Sequence, residues 1–360
     1  MKKAFAKLYH SLIYKHSSVR PLTLLYDQHK HNVLLPADDA FLADKEIQWW
    51  YWTGHLKDDA GRRYGFEIVF FAFDCWIFFK NQLAQAAITD IDGQKFHYRE
   101  DVEYFTLPSK LDGKFDLKVF RDGKVVNAAE GGNGKDWLYC EIGDYVLNIE
   151  LASEENPTIH YQGQPHHYSF GGFTYYYSRE KMRTFGTIQI NGESFKVEGV
   201  SWFDRQYGDL FKAIFKGWQW FAIELFDGRS IMLYDFLGNS CASDRFGSIT
   251  DKNETKELRS DEYQINILGQ WHCPSTGINF PSGWQVQLAG IELRVEPAVK
   301  AQVLKAQHDF WIGPEYWEGT CDVFDSDSML IGQAYVELNG FGHKLVSLEL
   351  AGKGKIDFGI

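Results

Sequence analysis

The sequence repeats one pattern: Trp50-Tyr51-Trp52, Gly61-Arg62 and the apolar run 66–71 recur as Trp218-Gln219-Trp220, Gly228-Arg229 and the run 231–236. The order of the three parts and their spacing are nearly the same in both copies. A tryptophan-rich strand joined by a hairpin to an apolar strand is typical of small up-and-down barrels that can enclose a ligand. The repeat therefore predicts two copies of one β-unit in a chain of 360 residues.

Turn signals extend this interpretation along the chain. Dipeptides that favour tight hairpin turns occur at short intervals from residue 47 onward: Asp92-Gly93, Asp112-Gly113, Asp122-Gly123, Asn191-Gly192, Asp227-Gly228 and Asn339-Gly340. Helical periodicity is convincing only near the N-terminus and over 297–307, after Pro297. The pattern predicts an all-β protein with few helices, built from two small antiparallel β-barrel domains.

The repeat also predicts the domain organisation. Length alone favours about two domains. We place an N-terminal helix or arm at 1–40, a first barrel at 41–212 and a second barrel at 213–360. The boundary falls near 209–216, between Gly208 and the second copy of the pattern.

Composition limits the partners. Phe 28, Tyr 19 and Trp 12 make up 16% of the chain, so much flat apolar surface must fill a core or line a cavity. The net charge of −12 argues against a nucleic-acid partner. An apolar small molecule is the expected ligand.

The N-terminal segment bears on location. Lysines and histidines interrupt any apolar run there, so it does not read as a signal peptide and we expect a cytoplasmic protein. Phe5, Leu8 and Leu12 fall at helical spacing, which suits peripheral membrane contact through residues 1–16. The alternative is a helix that packs on its own domain or frays.

Signatures of cofactors and metals are missing from the sequence. There is no phosphate-binding loop, dinucleotide fingerprint or serine-hydrolase elbow. The five cysteines form no Cys-x-x-Cys pair, and the pairs His29-x-His31 and His166-His167 lack partner ligands. We therefore expect no cofactor and no metal.

The second hairpin supplies a candidate acid. A two-residue turn at Asp227-Gly228 would pair Trp220 with Asp235 and place that carboxyl among apolar neighbours on one face of the sheet. Such surroundings would raise its pKa, as a general acid requires. The alternatives are that Asp235 pairs with a distant arginine or that this face meets solvent. Glu67 falls at the equivalent place in the first copy and is a weaker candidate.

A second candidate site is the segment 201–208 at a predicted strand end. It concentrates Asp204, Arg205 and Tyr207 with an amide and a large aromatic, and we expect it at the domain junction. The alternative is a structural corner, in which Asp204 and Arg205 cap backbone groups and link the domains.

These residues also carry a resemblance. The stretches that match in order are 46–56, 61–67, Tyr175-Tyr176-Tyr177-Ser178-Arg179, 202–208, Tyr316-Trp317-Glu318-Gly319 and 332–338. Together they resemble the carotenoid hydratase (hydroxyneurosporene synthase) and AttH-like family. The sequence departs from the hydratase pattern at Arg205, Gln206 and Tyr207, where His, Glu and Trp are common.

The resemblance implies two lipocalin-like barrels, a large apolar ligand site and, in the hydratase branch, addition of water to a terminal isoprenoid double bond. In that mechanism Asp235 would protonate the alkene, and water would be positioned by Asp204 or Tyr234. The cation would be stabilised by aromatic rings; the aromatic and ligand-binding candidates are Tyr207, Trp218, Trp220, Trp50, Trp52 and Arg205. A non-catalytic carrier of apolar ligands and a cofactor-free cyclase remain the alternatives.

Overall fold

The computed structural model describes residues 32–42, 45–74, 80–104, 113–169, 171–209, 217–236, 244–252, 254–305, 315–341, 346–348 and 356–358. The predicted helix or membrane contact at 1–16 lies outside these residues, as does most of the predicted arm at 1–40.

The first half of the chain forms one antiparallel sheet of twelve strands. They are β1 (Ile47–Asp58), β2 (Arg63–Asp74), β3 (Lys80–Asp90), β4 (Lys95–Tyr104), β5 (Phe115–Arg121), β6 (Lys124–Gly132), β7 (Lys135–Ile142), β8 (Tyr145–Ser153), β9 (Thr158–Ile159), β10 (His166–His167), β11 (Phe173–Ile190) and β12 (Glu193–Asp209). Ten of them follow the order β4-β3-β2-β1-β12-β11-β8-β7-β6-β5, and β9 and β10 pair with β11.

The second half forms a sheet of ten strands and two separate sheets of two strands each. The strands are β13 (Trp218–Leu225), β14 (Arg229–Phe236), β15 (Arg245–Asp251), β16 (Glu254–Leu258), β17 (Tyr263–Ile267), β18 (Gln270–His272), β19 (Asn279–Pro281), β20 (Trp284–Leu288), β21 (Ile291–Pro297), β22 (Val303–Leu304), β23 (Tyr316–Phe324), β24 (Leu330–Asn339), β25 (Val346–Leu348) and β26 (Ile356–Phe358). The main path runs β16-β15-β14-β13-β24-β23-β21-β20-β17, while β18 pairs with β19 and β25 with β26.

The two sheets share one topology. In each, four strands follow in sequence order and the first of them (β1 or β13) pairs with the last long strand of its half (β12 or β24). Both sheets are nearly closed, barrel-like and antiparallel, which confirms the predicted all-β class and the repeat. They lie in one compact unit, Val33–Ile360, and the domain bounds 41–212 and 213–360 stay a prediction.

Three clusters of buried side chains hold the molecule together. One fills the interior of the first barrel-like sheet, around Trp50 and Trp52. Another fills the second sheet, around Trp284 and Trp317. The third joins the outer faces of the two sheets, where Tyr51 meets Trp220 edge-on at 5.3 Å. Each sheet therefore has its own core, and a third apolar layer lies between them.

The two sheets approach each other closely at Gly65 of β2. A Cβ atom at Gly65 of β2 would lie only 2.8 Å from Cβ of Thr320 in β23. Only a residue without a side chain permits that contact. Gly65 therefore fixes which residues of β2 and β23 face each other.

The predicted helix over 297–307 is wrong. Pro297 ends β21, and Val303 and Leu304 form the short strand β22 instead, paired with Trp317 and Tyr316 of β23. The helices of the described residues are two short 3-10 turns, Ala37–Asp39 and His160–Gly163. Within the same residues, no helix has the length and apolar character needed to cross a bilayer.

Candidate functional site

A cavity lies between the two sheets, outside both barrel cores. Its empty volume is about 800 Å³, the mouth included. The lining residues come from both sheets: Ile47, Trp49, Tyr51, Val69, Phe71, Phe73, Tyr176, Asp204, Gln206, Trp218, Trp220, Tyr234, Tyr316, Glu318, Glu337 and Asn339. Nine of these are aromatic and three are acidic, and none is Lys or Arg. The wall is therefore mainly apolar, and its ionisable groups are carboxyls and tyrosine hydroxyls.

Strand alternation decides which side chains reach the cavity. On β1, Trp49 and Tyr51 line it, whereas Trp50 and Trp52 point the opposite way into the first core. On β13, Trp218 and Trp220 line it. The two Trp-x-Trp patterns therefore belong to equivalent strands but point to different faces, so their tryptophans are not in the equivalent places that the repeat predicts.

Asp204 is held by three donors. Tyr176 OH lies 2.5 Å from Oδ2, while Ser178 Oγ and Trp202 Nε1 lie 2.6 and 2.7 Å from Oδ1. Burial raises its pKa to about 7 although these hydrogen bonds favour the charged form. The three donors oppose the effect of burial, and they fix the orientation of the Asp204 carboxyl.

Glu337 and Glu318 stand side by side on β24 and β23, as a cross-strand pair. Burial raises the pKa of Glu337 to about 7 and that of Glu318 well above its usual range. The Glu318 side chain is almost fully buried and accepts a hydrogen bond from Tyr51 OH. Glu337 is partly accessible, and it lines the cavity. Two adjacent carboxyls in apolar surroundings favour at least one bound proton at neutral pH.

A hydrogen-bond chain fixes the orientation of Tyr316 beside this pair. Glu100 accepts from Gln85 Nε2 at 2.9 Å, so the amide must present its oxygen on the other side. That oxygen, Oε1, accepts from Tyr316 OH at 2.5 Å. The phenolic proton of Tyr316 thus points at Gln85. Burial and the neighbouring charges of Glu67 and Glu337 raise the pKa of Glu318 more than its tyrosine neighbours lower it.

The predicted position of Asp235 is wrong. Phe226, Asp227 and Gly228 form a three-residue loop, because Gly228 N donates to Leu225 O at 3.0 Å. The register is therefore shifted by one residue, and Asp235 pairs with Gln219 rather than with Trp220. A shift of one residue sends a side chain to the other face of the sheet.

Asp235 therefore does not line the cavity. Its Oδ1 lies 3.1 Å from Arg245 Nε, in an ion pair. The neighbouring residue Tyr234 takes the cavity position instead, stacked on Trp218 at 6.4 Å.

The segment 201–208 is divided between two faces of β12. Asp204 lines the cavity, as does Gln206. Arg205 and Tyr207 point into the first sheet, where the Arg205 guanidinium lies 3.9 Å from the centre of the Trp50 ring. The structure thus brings Asp204 together with Trp218, Trp220 and Tyr234, and places Arg205, Tyr207, Trp50 and Trp52 elsewhere.

Sequence reasoning missed Glu318 and Glu337 as candidate acids. Both lie in stretches that carry the family resemblance, Tyr316-Trp317-Glu318-Gly319 and 332–338. Each is an acid on a strand of apolar neighbours, the same signal that selected Asp235. The described residues contain no cluster of three or more His, Cys, Asp or Glu arranged to hold a metal ion.

The buried acids predict that stability falls as pH rises from about 5 to 8. Their folded pKa values are raised above unfolded values near 4, so the native state holds protons that the unfolded state releases; these acids are Glu67, Asp136, Glu180, Asp204, Glu224, Glu318 and Glu337. Each proton of difference costs about 1.4 kcal/mol per pH unit. His55 and His160, with pKa values lowered to about 4 and about 3, oppose the trend only below their unfolded pKa of about 6.5.

Thermal unfolding at constant ionic strength measures this effect. The melting temperature should be higher at pH 5 than at pH 8. Glu337→Gln, which no longer titrates at this position, should make the fall less steep. A melting temperature that rises over this range would contradict the protonated state of the acids.

Comparisons with known proteins agree with this architecture. A family model described as AttH-like matches residues 26–341. A protein of Nitrosomonas europaea provisionally named AttH has a similar structure, with 22% identity and a TM-score of 0.75, covering 87% of this chain and 98% of that one. Kievitone hydratase of Nectria haematococca is also similar, with 14% identity and a TM-score of 0.67, covering 86% and 93%. No curated protein matches the chain.

Proposed function

This chain belongs to the AttH-like family, and from that premise we propose that it adds water to a carbon–carbon double bond of an apolar substrate held between the two sheets. The substrate class that suits the aromatic walls is a long alkene of the isoprenoid or carotenoid kind. A structural neighbour that is itself a hydratase supports the type of reaction.

The observation that carries the proposal is the position of Glu337 in the wall of an aromatic cavity. Glu337 lines the cavity, and its pKa of about 7 keeps a large fraction protonated at neutral pH. An alkene has no strongly basic atom, so its protonation needs a positioned acid close to the double bond. Among the three acids of the wall, Asp204 is occupied by three donors and Glu318 is nearly fully buried, which leaves Glu337 as the proton donor.

The first step would transfer the proton of Glu337 to one carbon of the double bond. The π electrons form the new C–H bond, the other carbon becomes a cation and Glu337 becomes a carboxylate. The ring faces of Trp218 and Trp220, and Asp204 in its ionised form, would stabilise that cation. A desolvated cation–π contact is worth about 2 kcal/mol or more, and preorganised charges act most strongly where water is excluded.

In the second step, water would add to the cation through an oxygen lone pair. The new C–O bond leaves a positive charge on that oxygen, and one of its protons returns to the Glu337 carboxylate. Glu337 is then restored, so the cycle consumes only alkene and water.

Incubation with isotopically labelled water tests the function. The purified protein is mixed with alkenes that carry a trisubstituted terminal double bond, and products are analysed by mass spectrometry. We expect a gain of one labelled water, and none with heat-denatured protein. Tight binding with every alkene recovered unchanged would identify a carrier and reject the hydratase.

A further inference from the structure

Buried polar atoms without protein partners lie between the sheets. Both carboxyl oxygens of Glu67, the hydroxyl of Tyr335 and the hydroxyl of Thr320 have no hydrogen-bond partner among the described residues. All three side chains are at most 1% exposed. Buried polar groups are nearly always hydrogen-bonded, to protein or to ordered water, so several such atoms together indicate a bound molecule.

Strand geometry places these atoms side by side. Gly65 of β2 packs on Thr320 of β23, and Thr320 pairs with Tyr335 of β24. Glu67 lies two residues beyond Gly65 and therefore on the same face. Burial raises the pKa of Tyr335, and the charges of Glu318 and Glu67 add to that effect, in keeping with this placement.

The same geometry connects this spot with the cavity. Val69, two residues beyond Glu67 on the same face, lines the cavity, as do Glu318 and Glu337. Glu67 interacts electrostatically with both of these acids. The unpartnered atoms thus adjoin the proposed proton donor.

We propose that Glu67, Thr320 and Tyr335 form a polar subsite that holds the water molecule added to the double bond. The chemical role rests on the proposed function, whereas the presence of a bound water does not. Burial raises the pKa of Glu67 well above its usual range, so its carboxyl is neutral and positions the water rather than deprotonating it.

The donors and acceptors of the subsite suit this role. The carbonyl oxygen of neutral Glu67 accepts one proton of the water, and Tyr335 OH donates to one of its lone pairs. The second lone pair stays available for the new C–O bond. After that bond forms, the excess proton passes to the Glu337 carboxylate, as in the proposed cycle.

Substitution of Glu67 tests the subsite. Even with the water on its carbonyl oxygen, the buried Glu67 carboxyl keeps one oxygen without a protein partner. Glu67→Leu removes that group, so we expect the melting temperature to rise by about 2 °C or more. The same variant should lower kcat for water addition roughly tenfold or more while KM stays within about threefold. Glu67→Gln, which can still accept from and donate to water, should recover part of kcat.

Glu100→Leu is the matched control. Glu100 is also a buried acid, but Gln85 and Tyr98 donate to it at 2.9 Å. Its loss leaves two donors unpaired, so this variant should have a lower melting temperature. We therefore expect the melting temperature to rise in Glu67→Leu and to fall in Glu100→Leu. This difference distinguishes a functional carboxyl without a protein partner from a structural one.

A high-resolution crystal structure separates the subsite from the reaction. A water bonded to Glu67 and Tyr335, together with a stabilised Glu67→Leu variant, supports the site even if no alkene is hydrated, in which case only the proposed function fails. No water there, or hydration by Glu67→Leu at the wild-type rate, overturns the subsite and leaves the proposed function standing.

Discussion

Replacement of Glu337 by glutamine should lower the rate of alkene hydration by about 10³-fold, with little change in affinity for the alkene. An amide has nearly the size and shape of a carboxyl, so the cavity keeps its form. It cannot supply a proton to carbon, and a positioned general acid contributes about 10²- to 10⁴-fold. Steady-state kinetics and ligand titration with the same alkene measure the two quantities.

Asp235→Asn is the informative comparison. Asp235 is the acid that the sequence pattern selects, but it lies on the opposite face of β14 in an ion pair with Arg245. The Asp235→Asn variant should therefore hydrate the alkene at close to the wild-type rate. Loss of activity in Asp235→Asn with full activity in Glu337→Gln would reverse the assignment of the proton donor.

Arg205→Ala should destabilise the fold by about 3 kcal/mol and lower the melting temperature by roughly 5 °C or more. The buried guanidinium of Arg205, on β12, is bonded to residues 38–40 and to β1. It donates at 2.8 to 3.2 Å to four oxygens: the carbonyls of Asp38, Ala40 and Trp49, and Oε1 of Gln48. The substitution removes these four hydrogen bonds, three of them to backbone carbonyls, and it opens a space against Trp50.

Arg183→Ala is the matched control for this prediction. Arg183 is an exposed arginine of the same sheet, paired with an equally exposed Glu154. Surface ion pairs of this kind contribute about 0–1 kcal/mol, so the melting temperature should hardly change. Equal melting temperatures for wild type and Arg205→Ala would remove the structural role of Arg205. Because Arg205 faces the first core, ligand affinity should fall only to the extent that the fold does.

The fold could be predicted from the sequence because its signals are local or repeated. Dipeptides such as Asn191-Gly192 and Asn339-Gly340 mark chain reversals, and the repeated Trp-x-Trp hairpins mark equivalent strands. Neither signal depends on the exact pairing register of the strands. The helix predicted after Pro297 failed because Val303 and Leu304 gain more by pairing with β23 than an isolated helical turn of that length would provide.

The site was harder to predict because it depends on which alternate residues of each strand face the cavity. One extra loop residue at Phe226 exchanges Asp235 for Tyr234 at the cavity wall. A cavity between two sheets also has no local pattern, since its lining residues come from strands far apart in sequence. Asp204 could be selected because it stands in a polar motif, whereas Glu337 could be found only once β24 was placed beside β13 and β23.

The separation of the cavity from the two barrel cores has a consequence for how such a protein can change over time. Residues such as Phe71 and Trp218 shape the ligand space, while Trp52 and Trp284 belong to the sets that hold each barrel closed. Substitutions of partly buried wall residues such as Phe71 and Trp218 should alter ligand preference at a lower cost in folding free energy than substitutions in either barrel core. Ligand preference can therefore change while both barrel cores are kept, which suits this scaffold to divergence and to laboratory selection for new ligands.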